Sequence, residues 1–271
     1  MPTFAFIMQN PILITGATGN IGSKVAAELL NSQQPLKVTG RNAEKLSVFE
    51  GKAAISCGNL EDEGFLQSLL QNVTTVFLVL PQLDRLSVPA FAELFIHAAE
   101  KAGVTHVVNI SNCTLTRWGQ PTALLEFETG LNTARKLHLK HLRCANFFEN
   151  LNWGIQTPYR ADIKLPYISS FEVAYVAAGY LQAKSFSGIT VDALMGRQDY
   201  SMQDFADRLG IIYQQQATTP ENSWFFDAFN SGQYELVQRN ECNTSTLTDE
   251  RFSLDHFLQH HFNRQLLQKS I

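Results

Sequence analysis

Short apolar runs alternate with segments of helical periodicity through the first two thirds of the chain. The runs are rich in Val, Ile, Leu and Phe, which is typical of strands that are covered on both faces of a sheet. They predict strands at 12–15, 36–39, 53–57, 73–80, 106–110, 141–145 and 189–194. The segments between them predict helices at 21–30, 65–70, 88–102, 124–137 and 173–181. Strands that alternate with helices form a parallel sheet with right-handed crossovers, so the pattern predicts an α/β, doubly wound fold.

The rhythm is looser beyond about residue 146. Ser201 is a predicted N-cap of a helix that ends at Gly210, and the aromatic group at 224–229 suits a lid over a substrate pocket. Core packing or a subunit contact explains the same aromatic residues equally well. We expect a nucleotide-binding domain over 9–195, of which 146–170 contributes to the substrate pocket, and a smaller, mostly helical C-terminal substrate lobe over 196–271.

Composition narrows the class of protein. Of the 271 residues, 45% are hydrophobic and 17% are charged, which excludes a disordered chain. The 21 basic and 25 acidic residues give a net charge of −4, which argues against a nucleic-acid-binding protein. The four cysteines have no CxxC spacing, so we expect neither a zinc site nor a disulfide framework. No metal is expected.

The N-terminal run Phe4–Met8 is too short for the core of a signal peptide, and Met1 and Met8 both fit as the start of translation. No apolar run is long enough to cross a membrane. These observations predict a cytoplasmic protein.

The strongest motif is the sequence TGATGNIG at 15–22, which follows a predicted strand and opens a predicted helix. Gly16 permits a tight turn, Gly19 lets the backbone approach a pyrophosphate, and Gly22 lets the helix pack closely on the strand. The first N–H groups of the helix are free to bind phosphate. The motif predicts a dinucleotide-binding Rossmann domain whose cofactor contacts are Gly16, Ala17, Thr18, Gly19, Asn20, Ile21 and Gly22.

The end of the second strand indicates which dinucleotide binds. NAD-binding proteins carry an acidic residue about 20 residues after the loop, where it holds the ribose hydroxyls. The corresponding segment 36–42 reads LKVTGRN and has no acid. Arg41 suits a 2′-phosphate, with Lys45 in support, although a solvated loop charge is the alternative. We therefore expect NADP(H) as the cofactor, in preference to NAD(H).

Several segments in the first two thirds of the chain resemble the NmrA-like branch of the atypical short-chain dehydrogenases in their order along the chain. The resemblance covers most of 11–195 and is weak beyond it. Its segments are the glycine loop at 14–22, RNAEK at 41–45, CGNL at 57–60, AEKAGV at 99–104, Ile110-Ser111, Leu142-Arg143 and FFEN at 147–150.

The resemblance implies further cofactor contacts. The loop after the third strand is expected to contact adenine through Asn59 and Leu60, where the usual Gly-Asp-Leu reads Gly-Asn-Leu. The ends of the fourth and fifth strands are expected to border the ribose and nicotinamide. These expected contacts are Leu80, Pro81 and Ser111, and Asn146 is expected to close the pocket from the far side.

Most short-chain dehydrogenases use a Tyr-x-x-x-Lys pair in which Lys lowers the pKa of Tyr. The pair belongs on the helix about 13 residues past Ser111. That segment, 122–129, reads TALLEFET and contains neither residue. The pair Tyr180 and Lys184 follows the sixth strand, too far along to reach the pocket. Epimerase and dehydratase chemistry needs the same Tyr, so both are disfavoured.

What remains is direct hydride transfer from NADPH to an activated acceptor, a reaction that needs positioning more than a strong acid. Ser111 and Glu128 are weak catalytic candidates, and the catalytic group is otherwise unassigned. Glu126 and Glu128 fit better as solvated acids in the first turn of a helix. Cys113 follows Ser111, with Arg117 as the only basic residue nearby that could lower its pKa.

We therefore expect an NADPH-binding oxidoreductase that transfers hydride to a small electrophile such as a quinone. One alternative is a non-catalytic NADP(H)-sensing regulatory protein with a protein partner. Another is a reductase of phenolic or carbonyl metabolites. A monomer or homodimer is expected. His256 and His260 stand at metal-ligand spacing, but no acid completes a site.

Overall fold

The computed structural model describes residues 10–265; both candidate start methionines and residues 266–271 of the expected C-terminal lobe lie outside this range. The strands are β1 (Ile12–Ile14), β2 (Leu36–Gly40), β3 (Ala54–Cys57), β4 (Thr75–Leu78), β5 (His106–Asn112), β6 (Thr114–Arg117), β7 (Gln120–Pro121), β8 (His138–Cys144), β9 (Asn146–Phe147), β10 (Leu165–Ile168), β11 (Ile189–Leu194), β12 (Asp199–Tyr200) and β13 (Tyr234–Leu236). The helices are α1 (Asn20–Asn31), α2 (Ala43–Leu46), α3 (Glu63–Leu69), α4 (Val88–Ala102), α5 (Ala123–Leu131), α6 (Ser170–Ala183), α7 (Met202–Leu209), α8 (Ser223–Asn230) and α9 (Leu254–His260).

The largest sheet has seven strands in the order β11-β8-β5-β4-β1-β2-β3, which confirms the predicted doubly wound fold. β1 pairs in parallel with β2 and with β4, so that Ile12 lies opposite Leu36 on one side and Thr75 on the other. The strand order therefore reverses beside β1. A crevice opens outside the carboxyl ends of the strands at such a reversal, and ligands of doubly wound folds bind there.

The helix predicted over 124–137 is too long, because α5 ends at Leu131. The turn that follows is held from outside the helix. The Glu100 carboxylate on α4 accepts the backbone N–H groups of Arg135 (2.8 Å) and Lys136 (3.0 Å). The N–H groups of Arg135 and Lys136 therefore have acceptors outside a helix, so the helix need not continue through them. Apolar periodicity does not reveal such a contact.

Strand boundaries also differ from the prediction, and β8 and β4 show why. β8 begins earlier, at His138, whose N–H donates to the carbonyl oxygen of Thr105 (2.8 Å). β4 is shorter and ends at Leu78, because the N–H of Val79 donates to Thr15 Oγ1 (3.0 Å). In both cases one long-range hydrogen bond sets the boundary.

The helices α4 and α7 begin after a capping serine and end at a glycine, both of which are typical residues for helix ends. Ser87 caps α4, which ends at Gly103 with φ +80°. Ser201 and Asp204 form a reciprocal capping box at the start of α7, which ends at Gly210 with φ +69°. Each glycine adopts the left-handed conformation that closes a helix without a Cβ clash.

The chain forms two compact units that are interleaved in sequence. Described residues 10–109, 129–140 and 174–190 form the first unit, and 110–128, 141–173 and 191–265 form the second. The domain boundary expected at residue 195 stays a prediction. None of the described helices is long and apolar enough to cross a bilayer.

The second unit contains two three-stranded sheets, β12-β10-β9 and β13-β6-β7. Its core is rich in aromatic residues: Phe148 stacks on Tyr167 (ring centroids 6.3 Å apart), and Phe205 packs edge-on against Tyr167 (4.9 Å). The predicted aromatic group at 224–229 lies largely on α8, where Phe229 is buried and Trp224 is exposed. The residues after 195 include α7, α8 and α9 together with β12 and β13.

Candidate functional site

The glycine loop leaves β1 where the strand order reverses. Gly16 has φ +60°, a conformation that residues with a side chain rarely adopt. The N–H of Gly19 donates to the carbonyl oxygen of Gly16 (2.8 Å) and closes the turn. A Cβ at Gly22 would lie 2.2 Å from the same oxygen. The predicted structural roles of Gly16 in the turn and of Gly22 in close packing are confirmed.

Thr15 fixes the loop to the neighbouring strand. Its Oγ1 donates to the carbonyl oxygen of Phe77 (3.1 Å) and accepts the N–H of Val79 (3.0 Å). On the other side, the N–H of Ala17 donates to the carbonyl oxygen of Thr39 on β2 (3.1 Å). The loop is therefore anchored to both strands that flank β1, which positions its backbone before any ligand arrives.

The N-terminus of α1 fits a phosphate group. None of the described side chains caps it, and its first turn carries no acidic residue. The Asn20 side chain accepts from Lys24 Nζ (2.5 Å). The first N–H groups of α1 thus have no side-chain acceptor, and the helix dipole adds partial positive charge. These residues fit the pyrophosphate of a dinucleotide, and their contacts with it stay a prediction.

Arg41 follows β2 and forms an ion pair with Asp84 across the crevice edge. Arg41 Nη1 lies 3.1 Å from Asp84 Oδ2, and Nη2 donates to Gln82 Oε1 (3.4 Å). Both members of the ion pair are half exposed, and Lys45 on α2 is exposed. Arg41 is a surface charge, as the alternative interpretation held, but it has an anionic partner within the chain.

Asn59 and Glu61 organise the loop after β3. Asn59 Oδ1 accepts the N–H of Glu61 (3.0 Å). The buried Glu61 carboxylate accepts the backbone N–H groups of Asp84 (2.9 Å), Arg85 (2.9 Å) and Leu86 (2.7 Å). These hydrogen bonds, with that of Asp84 the strongest, lower the pKa of Glu61 to about 2. The predicted adenine contact Asn59 therefore lies in a loop that is tied to the one after β4.

The second unit holds the two catalytic candidates in one buried network. Ser111 Oγ donates to Glu128 Oε2 (2.6 Å), and Arg143 Nη2 and Nε donate to the same carboxylate (2.6 and 3.1 Å). Glu128 is 2% exposed, so its interpretation as a solvated helix acid is wrong. Glu126, in the first turn of α5, is exposed as that interpretation predicted.

The network fixes the charge states of its members. Burial alone would raise the pKa of Glu128, but the hydrogen bonds from Arg143 and Ser111 outweigh it and hold the pKa below its ordinary value. Burial lowers the pKa of His141 to about 4, against the pull of Glu128. At neutral pH Glu128 is therefore a carboxylate, and the neighbouring imidazole of His141 is neutral.

Cys113 is not a reactive thiol. It is buried, and burial raises the pKa of its thiol to about 12. The basic residues that act on it are Arg143 and Arg239, not Arg117 as predicted. Its Sγ donates to the carbonyl oxygen of Arg143 (3.0 Å), as a structural cysteine does.

The predicted cofactor contacts fall into two groups. The first unit holds the glycine loop, Arg41, Lys45, Asn59, Leu60, Leu80 and Pro81. Leu60 is buried, whereas Leu80 and Pro81 are half-buried after β4. The second unit holds Ser111 and Asn146, and the side-chain amide of Asn146 donates to the carbonyl oxygen of Pro166 (3.3 Å). All of these contacts stay predictions.

Sequence reasoning missed Glu61 and Asp84 beside Arg41 in the first unit, and Arg143 beside Glu128 in the second. Arg143 lies within the Leu142-Arg143 segment of the resemblance, but nothing in that pattern pairs it with Glu128. Asp84 and Glu61 are separated along the chain from the groups that they contact. For these residues the sequence offered no usable signal.

Other features singled out in the sequence have contacts of their own among the described residues. Tyr180 lies under Lys140, whose Nζ is 4.6 Å from the ring centroid. The rings of His256 and His260 are 4.5 Å apart. Within residues 10–265, no group of three or more His, Cys, Asp or Glu side chains is placed to hold a metal ion.

The family model for NAD(P)H-binding domains matches residues 16–153, about half of the chain. A (4-alkanoyl-5-oxo-2,5-dihydrofuran-3-yl)methyl phosphate reductase from Streptomyces griseus is 33% identical over 105 residues, which are 37% of this chain and 34% of that protein. An NAD(P)H azoreductase from Xenophilus azovorans is 34% identical over 99 residues, 36% of this chain and 34% of that protein. The matched stretch spans about a third of the length of these curated relatives.

Solved structures with low sequence identity share the fold. A triphenylmethane reductase from Citrobacter sp. superposes with a TM-score of 0.72 at 20% identity, over 89% of this chain and 96% of that one. An NmrA variant gives 0.72 at 14% identity, over 97% and 98% of the two chains. The NADPH-dependent quinone oxidoreductase QOR2 from Escherichia coli gives 0.68 at 20% identity, over 82% and 87%. The family match shows that the chain belongs to the NAD(P)H-binding family, and the solved structures, NmrA among them, share its fold.

Proposed function

Because the chain belongs to the NAD(P)H-binding family, we propose that it is an NADPH-dependent oxidoreductase that reduces a small electrophile such as a quinone. The observation that carries the proposal is the glycine loop, anchored on both sides of β1 and followed by an uncapped helix N-terminus. An azoreductase, a triphenylmethane reductase and a quinone oxidoreductase are among the similar proteins. Their names support a conjugated compound as the hydride acceptor of this chain. We further expect a cytoplasmic monomer or homodimer that acts on a small molecule.

The residues of the first unit serve binding in this proposal. The N–H groups at the start of α1 and the loop backbone hold the pyrophosphate. Arg41 supplies the charge that recognises a 2′-phosphate, with Lys45 in support. Asn59 and Leu60 flank the adenine. Together these groups account for NADP(H) as the cofactor, in preference to NAD(H).

Bound NADPH supplies a hydride, and with one proton from solvent a quinone becomes a hydroquinone. Ser111 directs its hydroxyl proton at Glu128 and therefore presents oxygen lone pairs, not a proton, to any other group. Arg143 uses Nε and Nη2 for Glu128 and keeps further N–H groups on a side chain that is 24% exposed. These remaining N–H groups of Arg143 are donors for a negatively charged oxygen of a ligand of the second unit.

NADPH consumption with a panel of small quinones, menadione first, tests the proposal. Before this assay, fluorescence titration establishes that the purified protein binds NADPH. We expect turnover with at least one quinone. Arg41→Ala is expected to raise the KM for NADPH about tenfold or more, because a charge-assisted phosphate contact is lost, while turnover recovers at high NADPH.

Lys52→Ala is the matched control, because it removes one exposed positive charge of the same unit that lies outside the proposed site. It is expected to leave the KM for NADPH unchanged. If the protein binds NADPH but turns over none of the quinones, the proposed oxidoreductase activity is wrong and the proposed NADPH binding stands.

One observation favours a second candidate, an NADP(H)-sensing regulatory protein. A Tyr-x-x-x-Lys pair is expected to begin about 13 residues past Ser111, which places its Lys about 17 residues past Ser111. In this chain that position is occupied by Glu128. An ion-paired Glu there cannot lower the pKa of a tyrosine. Tight NADPH binding without quinone turnover, together with a protein partner that binds only one redox form, would establish the sensor.

A further inference from the structure

The guanidinium that is proposed to bind the 2′-phosphate already has an anionic partner in the chain. Asp84 Oδ2 lies 3.1 Å from Arg41 Nη1, and Gln82 Oε1 accepts from Nη2 at 3.4 Å. The two charged side chains are 49% and 50% exposed, so both remain in contact with solvent and with an arriving ligand. A phosphate that binds Arg41 must meet Asp84.

The backbone of Asp84 is held in place. Its N–H donates to Glu61 Oε2 (2.9 Å), while the next two N–H groups, of Arg85 and Leu86, donate to Glu61 Oε1 (2.9 and 2.7 Å). Glu61 is only 6% exposed and stays ionised near neutral pH, since its pKa is about 2. The segment that carries Asp84 is therefore tethered, and only rotation of the Asp84 side chain can move its carboxylate away from Arg41.

We propose that Asp84 is a specificity-determining residue that competes with the 2′-phosphate of NADPH for Arg41 and so reduces the preference of this protein for NADPH over NADH. The inference rests on the proposed assignment of Arg41 to the 2′-phosphate. Binding of NADPH breaks the Arg41–Asp84 pair and leaves a carboxylate close to a phosphate of nearly two negative charges. Binding of NADH, which lacks this phosphate, meets neither cost.

Asp84→Asn tests this inference, because it removes the charge and keeps the size of the side chain. We expect NADPH to bind about three- to tenfold more tightly, in line with the modest strength of an exposed ion pair plus relief of repulsion. The dissociation constant for NADH is expected to change less than about twofold. Both constants are measured by fluorescence titration, which needs no turnover.

The fragments 2′,5′-ADP and 5′-ADP isolate the phosphate subsite. Their dissociation constants, measured by calorimetry, are expected to show the same selective gain for 2′,5′-ADP in Asp84→Asn. Glu63→Gln serves as the charge control, since Glu63 is an exposed acid on α3 that pairs with Gln67. It is expected to change the affinities for both fragments by similar small factors.

The outcomes separate this inference from the proposed function. If Arg41→Ala weakens NADPH binding but Asp84→Asn leaves it unchanged, the cofactor assignment stands and the competition is wrong. If Asp84→Asn and Glu63→Gln tighten NADPH binding equally, the effect belongs to net charge and the inference is overturned. If Arg41→Ala leaves NADPH binding unchanged, Arg41 is not the phosphate contact, and the inference fails together with that assignment.

Discussion

At the scale of single residues, Glu128 is the buried charge whose partners most restrict the chemistry of the chain. Its carboxylate accepts hydrogen bonds from Ser111 and from two nitrogen atoms of Arg143. A buried carboxylate with these partners is stable as an anion, so it is a poor proton donor at neutral pH. In the proposed function Glu128 acts through Ser111 and Arg143, as a positioning residue.

Glu128→Gln is expected to lower the free energy of unfolding by about 3 kcal/mol at neutral pH, because it leaves the Arg143 charge without its partner. Since the pKa of Glu128 is lower in the folded state than its ordinary value, the ionised form stabilises the fold at higher pH. The difference between wild type and variant should therefore be full above about pH 4.5 and shrink as the pH falls through the folded-state pKa. Urea denaturation across this pH range measures it.

Glu126→Gln is the matched control, on the same helix but exposed. It should change the free energy of unfolding by less than about 0.5 kcal/mol at any pH. Equal losses in the two variants would show that the contacts of Glu128 with Ser111 and Arg143 add nothing to stability.

At the scale of elements, the contact between α1 and the glycine loop decides whether the cofactor crevice forms. A Cβ at Gly22 would meet the carbonyl oxygen of Gly16 at 2.2 Å and its carbon at 2.7 Å, and both are backbone atoms that cannot rotate away. Gly22→Ala must therefore push α1 away from the loop. We expect a loss of at least about 2 kcal/mol in stability and a loss of NADPH binding of tenfold or more.

Gly179 provides the contrast, because it is an exposed position in α6 where an added Cβ would meet nothing within 4 Å. Gly179→Ala should stabilise the protein by about 0.5–1 kcal/mol and leave NADPH binding unchanged. Thermal unfolding and fluorescence titration of both variants test the comparison. If Gly22→Ala also folds and binds like wild type, close packing at Gly22 is not needed.

The elements were predictable where their signals are local. Apolar periodicity located the strands of the large sheet, and Ser201 and Gly210 marked the ends of α7. Apolar periodicity failed to predict the end of α5 and the start of β8. The turn between them is fixed by the carboxylate of Glu100, which lies about 35 residues earlier in the sequence. The glycine loop was predictable for the same local reason, whereas the Ser111, Glu128 and Arg143 network was not.

At the scale of the whole molecule, the residues proposed to bind NADPH and the residues proposed to act in turnover lie in different compact units. The glycine loop, the N-terminus of α1 and Arg41 belong to one compact unit, and Ser111, Glu128 and Arg143 belong to the other. A chain of this kind can keep its cofactor site while its chemistry changes. An oxidoreductase and an NADP(H) sensor therefore make the same prediction for binding and opposite predictions for turnover.

A ligand that binds only the folded state stabilises it in proportion to the logarithm of its concentration. At 100 times its dissociation constant, NADPH should add about 2.7 kcal/mol, which raises the melting temperature of a chain of this size by about 5–10 °C. In Arg41→Ala the rise at the same NADPH concentration should fall to that produced by NADH, because the 2′-phosphate no longer finds its partner. Scanning fluorimetry measures both. A full rise in the melting temperature without quinone turnover points to the sensor. If NADPH does not raise the melting temperature of the wild type, NADPH is not a ligand and both proposed functions are wrong.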